Sequence, residues 1–150
     1  MPAEPRSSLA NRDETERFVG AFLGTVAELE RLLEEQTRHL SAGRMRDGLA
    51  REAEKTELAG GYLKGLEYAR ANAVAIARFV PDRVGELRLR NEAFRSTVER
   101  NQAVIATARA VSEGLVRSVA EEVASRSRPQ GYGAPMRAQP ARALAYSASL

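Results

Sequence analysis

The sequence predicts an all-α fold, an elongated antiparallel helical hairpin or three-helix coiled-coil bundle with disordered termini. The main observation is a heptad pattern that runs without interruption from Val84 to Val123. In it Val84, Leu87, Asn91, Phe94, Val98, Asn101, Ile105, Ala108, Ser112, Leu115, Val119 and Glu122 recur at alternating spacings of three and four. Such a row forms an apolar seam that another helix must cover. At about 1.5 Å per residue the segment would extend roughly 60 Å, well beyond an average globular helix. The second observation is composition: Ala, Arg, Glu, Val and Leu dominate, aromatics are 5% and Trp is absent, a mixture that favours helix. The third is that two further helical-period stretches precede the seam, each closed by a breaker.

Residues 1–10, with two prolines and two serines, are expected to be disordered. Asn11 followed by Glu14 gives a capping-box-like start, with Asp13, Glu14 and Glu16 near the positive end of the helix dipole. Phe18, Phe22, Val26, Leu29, Leu33 and Leu40 then trace one face of a first helix, which should end at Ser41-Ala42-Gly43. A second helix is expected from about Arg44 to Phe79, with the stripe Leu58, Tyr62, Leu66, Ala69, Ala73, Ile76 and Val80. Gly60, Gly61 and Gly65 lie inside it, each costing about 1 kcal/mol relative to Ala. They imply either a close helix contact or a bend. Pro81-Asp82 is the clearest break, because Pro cannot continue a helix without losing a hydrogen bond, and Asp82 can cap the third helix. The expected organisation is therefore a disordered N-terminus over 1–10, a helical domain over 11–127 and a flexible basic tail over 128–150. The tail has too little apolar surface to fold alone.

Composition narrows the function classes. The chain contains no Cys, which excludes disulfides and thiolate chemistry. Residues 1–10 have no apolar core of a signal peptide, and no window is long and apolar enough to span a membrane, so the expected location is cytoplasmic. Residues 1–60 carry 9 basic and 12 acidic side chains, net −3, and residues 61–150 carry 14 and 8, net +6. The basic tail could meet an acidic protein surface. Nucleic acid is not an expected partner, because the arginines alternate with glutamates and no aromatic platform interleaves with them.

No catalytic constellation, metal set or cofactor motif is evident. The single His39 excludes paired-imidazole metal sites. A phosphotransfer role is disfavoured because Leu40-Ser41-Ala42-Gly43 follows His39 where such modules carry a lysine, and His39 falls at an expected frayed helix end. Gly60–Gly65 lacks the spacing of a phosphate loop. Asn91 and Asn101 in the seam are more informative, since a polar residue at such a position costs stability but fixes register. They suggest a third helix under-packed between Asn91 and Ser112, with Phe94, Val98, Val104 and Ile105 available to a partner helix.

The motifs also carry a resemblance. Glu54-Lys55-x-x-Leu58 resembles the Glu-Lys-x-x-Leu of FlgN-like flagellar export chaperones. The third helix is similar to theirs in Asn101-Gln102-Ala103-Val104-Ile105, Ala108, Val111-Ser112-Glu113, Arg117 and Val119-Ala120-Glu121-Glu122-Val123, and Gly131-Tyr132-Gly133-Ala134 resembles the Tyr-Gly that follows it. The likeness covers roughly residues 13–135. It implies a cytoplasmic, non-enzymatic chaperone of flagellar type III export, with no cofactor. Such a protein binds the C-terminal helical segments of hook-associated (hook–filament junction) proteins and keeps them from premature assembly. The implied client-binding residues are Phe94, Val98, Asn101, Val104, Ile105, Ala108 and Leu115. Tyr132 is the implied contact with export gate or ATPase components. The alternative from the seam alone is a structural coiled-coil protein that self-associates into a homo-oligomer.

Overall fold

The structure, a computed structural model, describes residues 8–127. Ninety per cent of them are helical and none is in a strand. In chain order the elements are α1 (Arg12–Ser41), α2 (Met45–Leu49), α3 (Glu52–Ala71), α4 (Ala73–Phe79) and α5 (Pro81–Arg126). The described residues divide into two units, one reaching to Val104 and one beginning at Ile105, and α5 contributes to both.

Helix α1 begins and ends where its sequence says it should. The Asn11 side chain accepts the Glu14 N–H at 2.9 Å, and the Glu14 carboxylate accepts the Ala10 N–H at 3.0 Å. At the other end Gly43 adopts φ +76°, the left-handed conformation only glycine enters freely. Its N–H donates to Leu40 O at 3.1 Å and that of Arg44 to His39 O at 2.9 Å, a Schellman closure. His39 therefore lies in a hydrogen-bonded helix end, not a frayed one.

The expected second helix is three helices. Its first interruption is at Ala50-Arg51, and the second is at Asn72, whose backbone (φ −112°, ψ 20°) leaves the helical region. The Asn72 amide explains the second break. Nδ2 donates to Tyr68 O at 2.9 Å, and Oδ1 accepts the N–H of Leu9 at 3.1 Å. A side chain that satisfies backbone groups locally competes with helix continuity. The same bond ties down Leu9, which is buried with Val19, Ile76 and Val80. Leu9 was expected in a disordered lead-in, and packing against α4 corrects that boundary. Residues 1–7, and the tail with Tyr132, lie outside the described residues.

Pairing between helices follows from named contacts. Phe18 meets Tyr68 (4.8 Å between ring centroids) and Phe22 meets Tyr62 (5.8 Å), so α1 and α3 run antiparallel. Arg12 bonds Asp82, Glu30 bonds Arg90 and Asn101 bonds Leu33 O, so α5 runs parallel to α1. Two apolar clusters fill the interior of the first unit. Leu9, Val19, Ile76 and Val80 form one, with Val84 and Leu87 against it. Val26, Leu29, Leu33 and Phe94 form the other, with Leu58, Tyr62 and Val98 against it. Helix α5 starts at Pro81, so Asp82 sits in its first turn and not at its cap. There its carboxylate takes the Arg12 guanidinium at 3.3 Å.

Helix α3 is continuous through its glycines, and one of them, Gly65, makes a close contact with α1. A Cβ on Gly65 would lie 2.6 Å from Phe22 Cδ2, whereas one on Gly60 would meet nothing within 4 Å. Opposite outcomes are expected from the same substitution. Gly65→Ala should destabilise, because overpacking costs about 1–3 kcal/mol and outweighs the gain in helix propensity. Gly60→Ala should stabilise by up to about 1 kcal/mol. Urea unfolding of the two variants checks both signs, and equal signs would mean that the α1–α3 contact at Phe22 gives way freely.

Candidate functional site

Within the first unit the seam of α5 is closed at Phe94 and Asn101. Phe94 is 4% exposed, its ring 4.8 Å from Tyr62 and packed among Val26, Leu29 and Leu33. That burial corrects the expectation that Phe94 is available to a partner. Val98 is half-buried against the same cluster, and Val104 is half-buried. Asn91 is exposed, and the neighbouring Arg90 turns toward α1 instead, pairing with Glu30 at 3.2 Å.

Asn101 is buried, and its Nδ2 faces three acceptors: Gln36 Oε1 at 3.0 Å, Leu33 O at 3.2 Å and Thr37 Oγ1 at 3.2 Å. Gln36, also buried, is the hub of this layer. Its Nε2 donates to Gly48 O at 2.9 Å and to the Glu52 carboxylate, while its Oε1 also accepts from Lys55 Nζ at 3.2 Å. Four helices thus meet at one polar layer. The motif residues Glu54, Lys55 and Leu58 have structural partners here. Glu54 takes Arg51 at 2.8 Å, Lys55 takes Gln36 and Glu52, and Leu58 packs beside Phe94's cluster.

Glu52 is held below its ordinary value of 4.5, first by the hydrogen bond from Lys55 and further by Gln36 and the Lys55 charge, against the opposing effect of burial. Glu54 is lowered by its bond to Arg51. A depressed carboxyl contributes stability that is present above its unfolded pKa and is lost as pH falls through the folded one. The melting temperature should therefore fall as pH drops below about 4.5, and Glu52→Gln should reduce that fall. A parent and variant with the same acid dependence would show that Glu52 is not coupled to folding.

His39, half-buried, accepts the Arg44 Nε–H at Nδ1 (3.2 Å) and holds Nε2 3.9 Å from Glu35. Both ring nitrogens face protein groups.

The second unit presents the opposite surface. Ile105, Ala108 and Ser112 are half-buried, but Leu115 is 62% and Val119 58% exposed, and Val111, Val116 and Val123 are similarly open. Val111, Leu115, Val119 and Val123 recur every fourth residue, with Val116 beside them, so they make one stripe. The charges Arg109–Glu113 and Arg126–Glu122 pair along the helix itself, at 3.3 and 2.7 Å. Single exposed aliphatics are ordinary, but a contiguous row of them marks an interaction surface. Of the sequence-predicted set, Leu115 belongs to this row, Ala108 and Ile105 lie near its start, and Phe94 and Asn101 serve the interior. Val111, Val116, Val119 and Val123 were missed as site residues, although the four-residue spacing of Val111, Leu115, Val119 and Val123 is visible in the sequence.

No protein-family model, curated protein or solved structure matches this chain. Among the described residues, no helix is long and apolar enough to cross a membrane.

Proposed function

We infer that the chain is a chaperone of flagellar type III export, resembling the FlgN family, that holds the C-terminal helical segment of a hook-associated protein on the α5 stripe. One observation carries the reading: the row Val111, Leu115, Val116, Val119 and Val123 is exposed along one helix among the described residues. An amphipathic client helix would bury that row through its own i, i+3, i+4 anchors. Burying a Val or Leu side chain is worth about 1.5–3 kcal/mol, and ordering a flexible client costs about 2–5 kcal/mol or more. Five such side chains can exceed that cost without ATP or a cofactor. The choice of a hook-associated client, and contact of Tyr132 with the export gate or ATPase, rest on the resemblance alone.

The same stripe would serve a self-associating coiled-coil protein. Calorimetry against the C-terminal segments of hook-associated proteins, run beside sedimentation of the free protein, separates the two. The chaperone reading expects saturable binding by at least one segment. No binding to any segment, together with a stable oligomer, would sink it in favour of self-association.

A further inference from the structure

We propose that α5 is latched to α1 by a polar layer weaker than the apolar contacts before it, so that Thr97–Val104 opens locally while Val84–Phe94 stays closed. Burial along α5 changes character in this order. Val84 and Leu87 pack on the first apolar cluster, with Val80 fully buried just before them, and Phe94 belongs to the second cluster. Then come Thr97 and Asn101, both buried and both polar, with the half-buried Val98 between them as the last residue of α5 against the second cluster. Thr97 Oγ1 faces Ala93 O at 3.3 Å and Glu30 Oε1 at 3.5 Å, and the Asn101 amide donates toward Gln36, Leu33 and Thr37. A buried aliphatic contributes by its area, whereas a neutral hydrogen bond contributes only the difference between a protein and a water partner. A seam asparagine accordingly costs stability relative to an aliphatic residue.

The groups around Asn101 allow a clean test. If its amide is removed, Gln36 Oε1 keeps Lys55, and Gln36 Nε2 keeps Gly48 O and Glu52. An aliphatic side chain at 101 therefore removes the weak contact without orphaning the hub. Opening would uncover the half-buried Val98 and Val104. Only that consequence touches the chaperone reading, because the test uses the full-length chain with no client present.

The experiment is native-state hydrogen exchange of the full chain, parent against Asn101→Leu and Asn101→Ala. In the parent, amides of residues 97–104 should exchange at least about tenfold faster than those of 84–94, as expected of a sub-global opening. Asn101→Leu should slow residues 97–104 toward the 84–94 rate. Asn101→Ala should speed residues 97–104 and leave 84–94 unchanged. Equal parent rates in the two stretches, faster exchange in the leucine variant, or an alanine variant that speeds all of α5 alike would each overturn the latch.

Discussion

Phe94→Ala is expected to cost the first unit about 3–5 kcal/mol, the range for emptying a buried aromatic site. Domains of this size are stable by only about 5–15 kcal/mol in total, so the variant should unfold at far lower urea than the parent. The reason lies in where the ring sits. Phe94 is the only α5 residue among the four buried members of its cluster, and Val26, Leu29 and Leu33 of α1 close around it. Removing it leaves a cavity between helices that Tyr62 alone cannot fill. Urea unfolding followed by circular dichroism gives the measurement. A parent-like unfolding curve combined with lost client binding would return Phe94 to the interface where its sequence position first suggested it.

The complementary substitutions are Leu115→Asp and Val119→Asp. Each should weaken client binding by at least about 2 kcal/mol, roughly thirtyfold in Kd, as for a centrally placed anchor. A carboxylate in an apolar contact must be desolvated without a partner. The same changes should leave the urea transition of the first unit where it is, because both side chains are solvent-exposed in the second. Calorimetry and unfolding on the same samples give both readouts. Unimpaired binding by the double variant would remove the stripe from the function altogether.

Much of the all-α reading was legible in particular residues. Asn11 with Glu14 and Gly43 marked the real ends of α1, because each acts through local backbone chemistry, whereas Pro81, expected as a break before an Asp82 cap, is itself the first residue of α5. Asn72 was not legible. Its amide bonds both Tyr68 O, four residues back, and the N–H of Leu9, and the second partner, 63 residues away, is one that no local pattern reports. Gln36 was invisible for the same reason, since a glutamine becomes a hub only when α2, α3 and α5 bring Gly48, Lys55 and Asn101 to it. The seam itself was read with a seven-residue repeat. An α-helix has 3.6 residues per turn and drifts by about 20° per heptad against that template. The template accordingly placed Asn91 inward where Arg90 turns in, and chose Glu122 where Val123 is the stripe residue. Period alone could not tell which part of the seam is covered, because cover is a property of α1, not of α5.

The parallel alignment of α1 and α5 also sets an order of events during synthesis. Helices α1 and α3 meet through pairs such as Gln36 with Glu52, only 16 residues apart, and can associate early. The contacts that seat α5 join residues 60 to 70 apart, as in Arg90 with Glu30, Asn101 with Leu33 and Asp82 with Arg12. Such distant closures are slow relative to local ones, and the chain leaves the ribosome N-terminus first. A nascent chain therefore holds a hairpin in which Leu58 and Tyr62 cover Val26, Leu29 and Leu33 only in part until Phe94 has emerged. The helix turns that carry Leu115 and Val119 are made after every partner in the first unit is already present.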